Sequence, residues 1–454
     1  MEKDINAKNK FSKMLSEKRF YESDNKKSET DGRNAFESDY ARIALSSYVR
    51  RLQDKAQVFP LEQNDFVRTR LTHSLEVACF AKGLGLSVEK FLLENDFMDI
   101  SQKGFIPAIL ETAGLVHDIG NPPFGHFGEE SIRQFFNGEM NSPAKTAFTQ
   151  LKEQEKNDFL HFDGNVQSFR ILKSLGLSKY DTSFNLTFAL LSTIIKYPFS
   201  SVSTKVGGKI GYYESEEKYY TQLCDELGLK KEQRHPLTYL LEAADDIAYS
   251  VCDIEDGFKL GIITEGHIKK ALTNTAEEEI LNKLYEKGYS FEDDKELFVQ
   301  QLRIKIQTKM LDDVTKCFNE HFIEILNGDF SSELLKESES SDLRNIFKTL
   351  GNLNFSHKSV LKRELLGDKV IKYLLNIFTE AVFSYSPNEP KTSKNNKIIS
   401  LLCSRKKDEE ILKDQNTPDN NYKKFQKIVD YISGTTDSFA LHLYQEFNGI
   451  TNIV

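Results

Sequence analysis

The chain has 454 residues, with 60 Lys and Arg against 69 Asp and Glu and a formal net charge of -9. That balance argues against a chain-wide basic surface and leaves only a local basic groove for polyanions. Hydrophobic residues make up 39%, enough to bury a core, and no uncharged apolar run reaches the roughly 18 residues that a membrane span needs.

Residues 1–33 are polar and read as an N-terminal arm with one short helix around Phe11–Leu15 and no secretory signal. From Asn34 to Leu93 apolar residues recur every three to four positions, as in Ile43, Leu45, Tyr48 and Leu52, which predicts helices. Ile106–Val116 is another helix, ended by Gly120-Asn121-Pro122-Pro123. Further helices are expected over Asn165–Leu175, closed by Gly176, and over Thr187–Ile195. Thr204–Tyr213 mixes glycines with aromatic and β-branched residues and reads as a mobile loop or a short β-hairpin. Leu237–Leu260 is a long amphipathic helix, and helical periodicity resumes around breaks at Ser331–Ser341 and Pro387–Asn396. The fold class is therefore all-α: an arm (1–33), a core (34–260) and a helical C-terminal region (261–454) packed on it.

The cysteines Cys79, Cys224, Cys252, Cys317 and Cys403 are odd in number and widely separated. A disulfide framework and a thiolate zinc site are both disfavoured, and a reducing cytoplasm is the expected compartment. Any metal then relies on histidines and carboxylates. His117 and Asp118 are adjacent at the end of an apolar helix, where their side chains converge only on something at the helix end. His73 sits on a separate helix, and Asp245 heads the Asp245-Asp246 pair in a third. Two imidazoles and two carboxylates suit a divalent cation, Mg²⁺ or Mn²⁺, with Co²⁺, Fe²⁺ and Ni²⁺ as further fits. A His-Asp dipeptide alone is ordinarily a surface pair satisfied by the helix dipole. The surrounding blocks change that reading.

Those blocks are RRLQDKAQVFPLE (50–62), VRTRLTHSLEV (67–77), ETAGLVHDIGNPPFGHFGEESI (111–132), DGNVQSFRIL (163–172), LLEAADDIAYSVCDIEDGF (240–258) and VDYISGTTDSF (429–439). With them the chain resembles the deoxyguanosine triphosphate triphosphohydrolases, a family of HD-domain metal phosphohydrolases. The resemblance implies that His73, His117, Asp118 and Asp245 hold the metal, and that dGTP is cleaved at the α-phosphorus to deoxyguanosine and inorganic triphosphate. It implies His126 as general acid to the sugar 5′-oxygen. Glu129, one helical turn on, would orient that imidazole.

Asp245, Tyr249 and Asp253 stand at i, i+4 and i+8 and form one stripe about 12 Å long on a helix. By resemblance Tyr249 lies against the deoxyribose, Asp253 accepts from the 3′-hydroxyl, and Gln57 also contacts the sugar. Arg70 and Lys196, with Asn121, are the candidate triphosphate contacts; Lys205 and Lys209 lie in the glycine-rich loop. Three departures stand out: Asp163 where the family more often has Glu, and Thr435 and Ser438 where it more often has Met and Arg. The resemblance further implies a homo-hexamer or tetramer, and some relatives respond to single-stranded DNA or to a second dNTP. The rival readings are an HD phosphohydrolase of cyclic or polyphosphate nucleotides and a nucleotide-responsive regulator of the dNTP pool.

Overall fold

The computed structural model describes residues 2–21, 30–176, 183–203 and 208–450. The fold is all-α, and its only β pairing among the described residues is two isolated bridges, Arg19–Thr187 and Ala56–Thr69. No hairpin forms over 208–213. Ile210, Tyr212 and Tyr213 are buried there, and Tyr212 stacks on Tyr220 at 4.2 Å, so ring burial takes the place of strand pairing and of a surface platform for bases. Residues 204–207, Lys205 among them, lie outside the described residues.

The N-terminal segment is docked. Helix α1 (Glu2–Met14) buries Phe11 and Met14, and Phe11 meets Phe322 edge to face at 5.4 Å. Helix α2 (Ala35–Ala44) starts on a capping box between Asn34 and Glu37. Helix α3 (Arg70–Glu94) starts on Thr69, whose hydroxyl accepts from the Thr72 N–H while the Thr72 hydroxyl accepts from the Thr69 N–H. Helix α4 (Phe105–Val116) is buried almost all round and is the central rod of the fold. Gly114 lets α3 and α4 touch backbone to backbone, since a Cβ there would fall 2.6 Å from the Ala78 Cα.

Helices α5 (Gly125–Gln134), α6 (Gly164–Arg170) and α7 (Pro236–Lys259) follow, the last with Pro236 in its first turn. The longer of the later helices are α8 (Lys295–Asn327), α9 (Ser341–Phe355), α10 (Lys358–Phe383), α11 (Pro418–Ser433) and α12 (Asp437–Phe447). They divide between two cores. Phe298, Val314, Phe318 and Phe347 of α8 and α9 join α1, α3, α4 and α7 in one. Val370, Phe378, Phe425 and Leu443 of α10 to α12 join Ile132 of α5 in the other, around a nest in which Phe136 and Phe159 stack at 4.8 Å. Among the described residues no helix is long and apolar enough to cross a membrane, and all five cysteines are free.

Buried polar contacts join the two cores. The Lys55 ammonium donates to the carbonyls of Asn121 (2.5 Å) and Ser433 (2.8 Å). The Asp437 carboxylate accepts from the N–H groups of Phe124 (2.9 Å) and Ala56 (3.1 Å). Thus the 429–439 block braces the 117–126 segment. Ser438 donates to Asp54 and Thr435 to the Ile432 carbonyl, which gives both departures a local structural use. Arg170 at the end of α6 pairs with both oxygens of Asp430 at 2.8 Å and with Glu216 at 2.9 Å, largely shielded from solvent. Truncating one member of such a group strands charge in the interior. Asp430→Ala is therefore expected to cost about 3–5 kcal/mol, read as a lowered urea midpoint.

Candidate active site

Three helices meet at one point between the cores. His73 comes from the first turn of α3, His117 and Asp118 from the end of α4, and Asp245 from the middle of α7. One ligand atom from each of His73, His117 and Asp245 lies within 4.8 Å of the others. The His73 Nε2 is 3.1 Å from the Asp245 Oδ1, and the His117 Nε2 is 3.5 Å from the same oxygen and 3.5 Å from the Asp118 Oδ1. Asp118 stands at the rim of this group, with its other oxygen accepting from Arg70. Asp246 turns away and accepts from Arg344 at 2.8 Å.

The group is one that could hold a metal ion. His117 is 2.8 Å from the Gly114 carbonyl through its Nδ1, which assigns a proton there and turns the Nε2 edge toward the carboxylates. That buried Nε2 has no hydrogen-bond partner among the described residues. Burial disfavours charge on His117, but the Asp118 and Asp245 carboxylates outweigh it and lift the imidazole to about 9. Burial is likewise overcome at Asp118, which His117 and Arg70 pull down to about 2, and at Asp245, which His117 holds well below the usual carboxylate range. Excess negative charge thus sits around nitrogen and oxygen ligands suited to a divalent ion.

A cavity of about 420 Å³ opens from this point. Gln57, Arg70, Asn121, His126, Lys196, Tyr249 and Asp253 all line it, together with His117, Asp118 and Asp245. His73 and Glu129 stand behind the wall. The His126 Nδ1 is 3.0 Å from the Glu129 Oε2, and this hydrogen bond raises the imidazole above its ordinary value. The other Glu129 oxygen accepts from the Gly164 N–H at 2.7 Å. Glycine is required at 164 because a Cβ would fall 1.8 Å from the Asn121 Oδ1. Asp163 caps α6 through the Asn165 N–H and binds Lys209 at 2.6 Å, so the shorter acid is fully engaged. Lys196 pairs with Glu242 at 3.1 Å, an acid shared with Arg234.

Motif reasoning missed the opposite wall. Arg344, Phe347, Lys348, Gly351, Asn352 and Phe355 of α9 face the same cavity. Their four-residue spacing was visible in the sequence, but nothing local ties α9 to a site ninety residues earlier.

A family model described as HD domain matches residues 70–249. A deoxyguanosinetriphosphate triphosphohydrolase-like protein of Listeria monocytogenes is 38% identical, over 97% of this chain and 100% of that protein. The chain belongs to the deoxyguanosinetriphosphate triphosphohydrolase family of HD-domain proteins. A similarly named protein of Synechocystis is 34% identical over 92% of this chain and 94% of that one. A deoxyguanosinetriphosphate triphosphohydrolase of Yersinia pestis is 31% identical, over 90% and 93%.

In this family member the proton on His117 and a cation compete for one place. Below about pH 9 the metal-free centre keeps that proton, so loading Mn²⁺ is expected to release about one proton. Apparent affinity should rise about tenfold per pH unit from neutrality and level off near that value. Calorimetry in buffers of different ionisation enthalpy reads the proton count.

Proposed function

We propose that this protein is a metal-dependent dNTP triphosphohydrolase that cleaves dGTP at the α-phosphorus to deoxyguanosine and inorganic triphosphate. The observation that carries this reading is one cavity holding the His-Asp cluster, the His126–Glu129 pair and the Asp245-Tyr249-Asp253 stripe. Membership of the triphosphohydrolase family supports it.

His73, His117, Asp118 and Asp245 would hold a divalent cation, which supplies Lewis-acid charge at the phosphoryl group. The remaining work falls to the chain. The departing sugar 5′-oxygen is a poor leaving group unless it is protonated as the P–O bond breaks. His126 faces the cavity with its Nδ1 tied to Glu129, so its Nε2 is free to deliver that proton. Glu129 is itself fixed by the Gly164 N–H, which sets the angle of the imidazole. The α7 stripe runs from the metal ligand to the sugar: Tyr249 takes the face of the deoxyribose and Asp253 the 3′-hydroxyl, with Gln57 beside them. The Gln57 Oε1 has no hydrogen-bond partner among the described residues. Arg70, Lys196 and Asn121 balance and orient the triphosphate.

Ion chromatography of products from four dNTPs and four rNTPs, with Mg²⁺, Mn²⁺ and Co²⁺, is the direct test. Triphosphate from dGTP is expected. Turnover of cyclic or guanosine polyphosphate nucleotides with none from any dNTP would overturn the reading. His126→Ala should lower kcat by about 10²–10⁴-fold while bound metal per chain stays unchanged. The pH profile carries a second signature. A general acid works while protonated, so the rate falls as pH rises through the His126 pKa. Glu129 raises that pKa, and Glu129→Gln should therefore move the alkaline limb to lower pH.

A further inference from the structure

Helix α9 forms the far wall of the cavity, and none of its residues has a part in the reaction above. Two buried contacts pin it to α7. Arg344 donates to Asp246 at 2.8 Å near its start, and the Asn354 amide donates to the Asp253 carbonyl at 2.6 Å near its end. Gly351 and, just past the second anchor, the exposed Phe355 line the cavity at i and i+4, while Phe347 one turn earlier is packed into the core. The anchor at Asp253 places this pair beside the sugar end of the α7 stripe.

Gly351 has no use in the packed protein. Glycine in the middle of a helix is less stable than alanine. Its backbone is not left-handed, and a Cβ built on it meets nothing within 4 Å although the residue is buried. The space over it is cavity. Beside it, Lys348 is exposed and has no hydrogen-bond or ion-pair partner among the described residues. The other lysines that line the cavity, Lys196 and Lys209, are both paired with carboxylates.

We propose that α9 is the nucleobase wall of the site: a flat heterocycle lies over Gly351 against the exposed Phe355 ring, and Lys348 donates to the O6 and N7 acceptors of a 6-oxopurine. The assignment rests on the nucleotide reading of the cavity. Aromatic rings stack on any base, whereas an added Cβ would occupy the thickness of the base itself. An ammonium group discriminates. Guanine presents two acceptors on that edge, while adenine replaces O6 with an amino donor that Lys348 repels.

Deoxynucleosides test the wall apart from the chemistry, because they carry no phosphate to cleave. Binding of 2′-deoxyguanosine, 2′-deoxyinosine and 2′-deoxyadenosine to the Mn²⁺-loaded full-length protein is measured by calorimetry. The two oxopurines should bind about tenfold tighter than deoxyadenosine, and Lys348→Met should erase that difference. Gly351→Leu should weaken all three by about tenfold or more. Gly351→Ala should weaken them too, yet raise the melting temperature of the ligand-free protein, a pairing of signs that a packing role does not produce. Variants that bind like the wild type, or a wild type that binds no nucleoside, overturn the wall. If the wall behaves as stated but no triphosphate is released from any dNTP, the reaction falls and the wall stands.

Discussion

Four ionisable side chains gather at one largely enclosed point where α3, α4 and α7 cross, and the surrounding structure is arranged around the cost of keeping them there. Carboxylates and imidazoles buried together are tolerated only when charges are matched and each polar atom has a fixed partner. The Gly114 carbonyl takes one face of His117, Arg70 takes one oxygen of Asp118, and Arg344 draws Asp246 away from its neighbour. What remains unmet is negative charge facing one unbonded imidazole nitrogen. The same imbalance that lifts His117 to about 9 makes the point attractive to a cation.

Holding such a point requires helices that approach closely and do not shift. Gly114 allows backbone contact between α3 and α4, and Gly164 allows α6 to abut the turn after Asp118. Lys55, Asp437 and the Arg170–Asp430 pair then tie that turn to the C-terminal helices through buried hydrogen bonds. The second core therefore serves the site mechanically. It carries no ligand of the His-Asp cluster, yet it braces the segment that presents Asn121 and His126.

The elements nearest the chemistry were legible because their signals are local. Helix-period apolar residues mark α3, α4 and α7, and the stripe of Asp245, Tyr249 and Asp253 follows from a rise of about 1.5 Å per residue. The docking of α1 was not legible: the apolar residues around Phe11–Leu15 marked a short helix, but nothing local records that they pack on α8. Of the two forms expected near residue 210, a loop or a short hairpin, the described part takes the loop, with Tyr212 and Tyr213 buried and Tyr212 stacked on Tyr220.

By itself, then, the amino-acid order settled the all-α class and, through long motif blocks, the family, since both depend on periodicity and contiguous residues. Tertiary structure alone decided that Asp163 binds Lys209, that Asp437 braces Phe124 and that α9 faces the ligand cavity. Those facts join positions up to about three hundred residues apart. They depend on how helix surfaces interlock in space, and no local spacing records that.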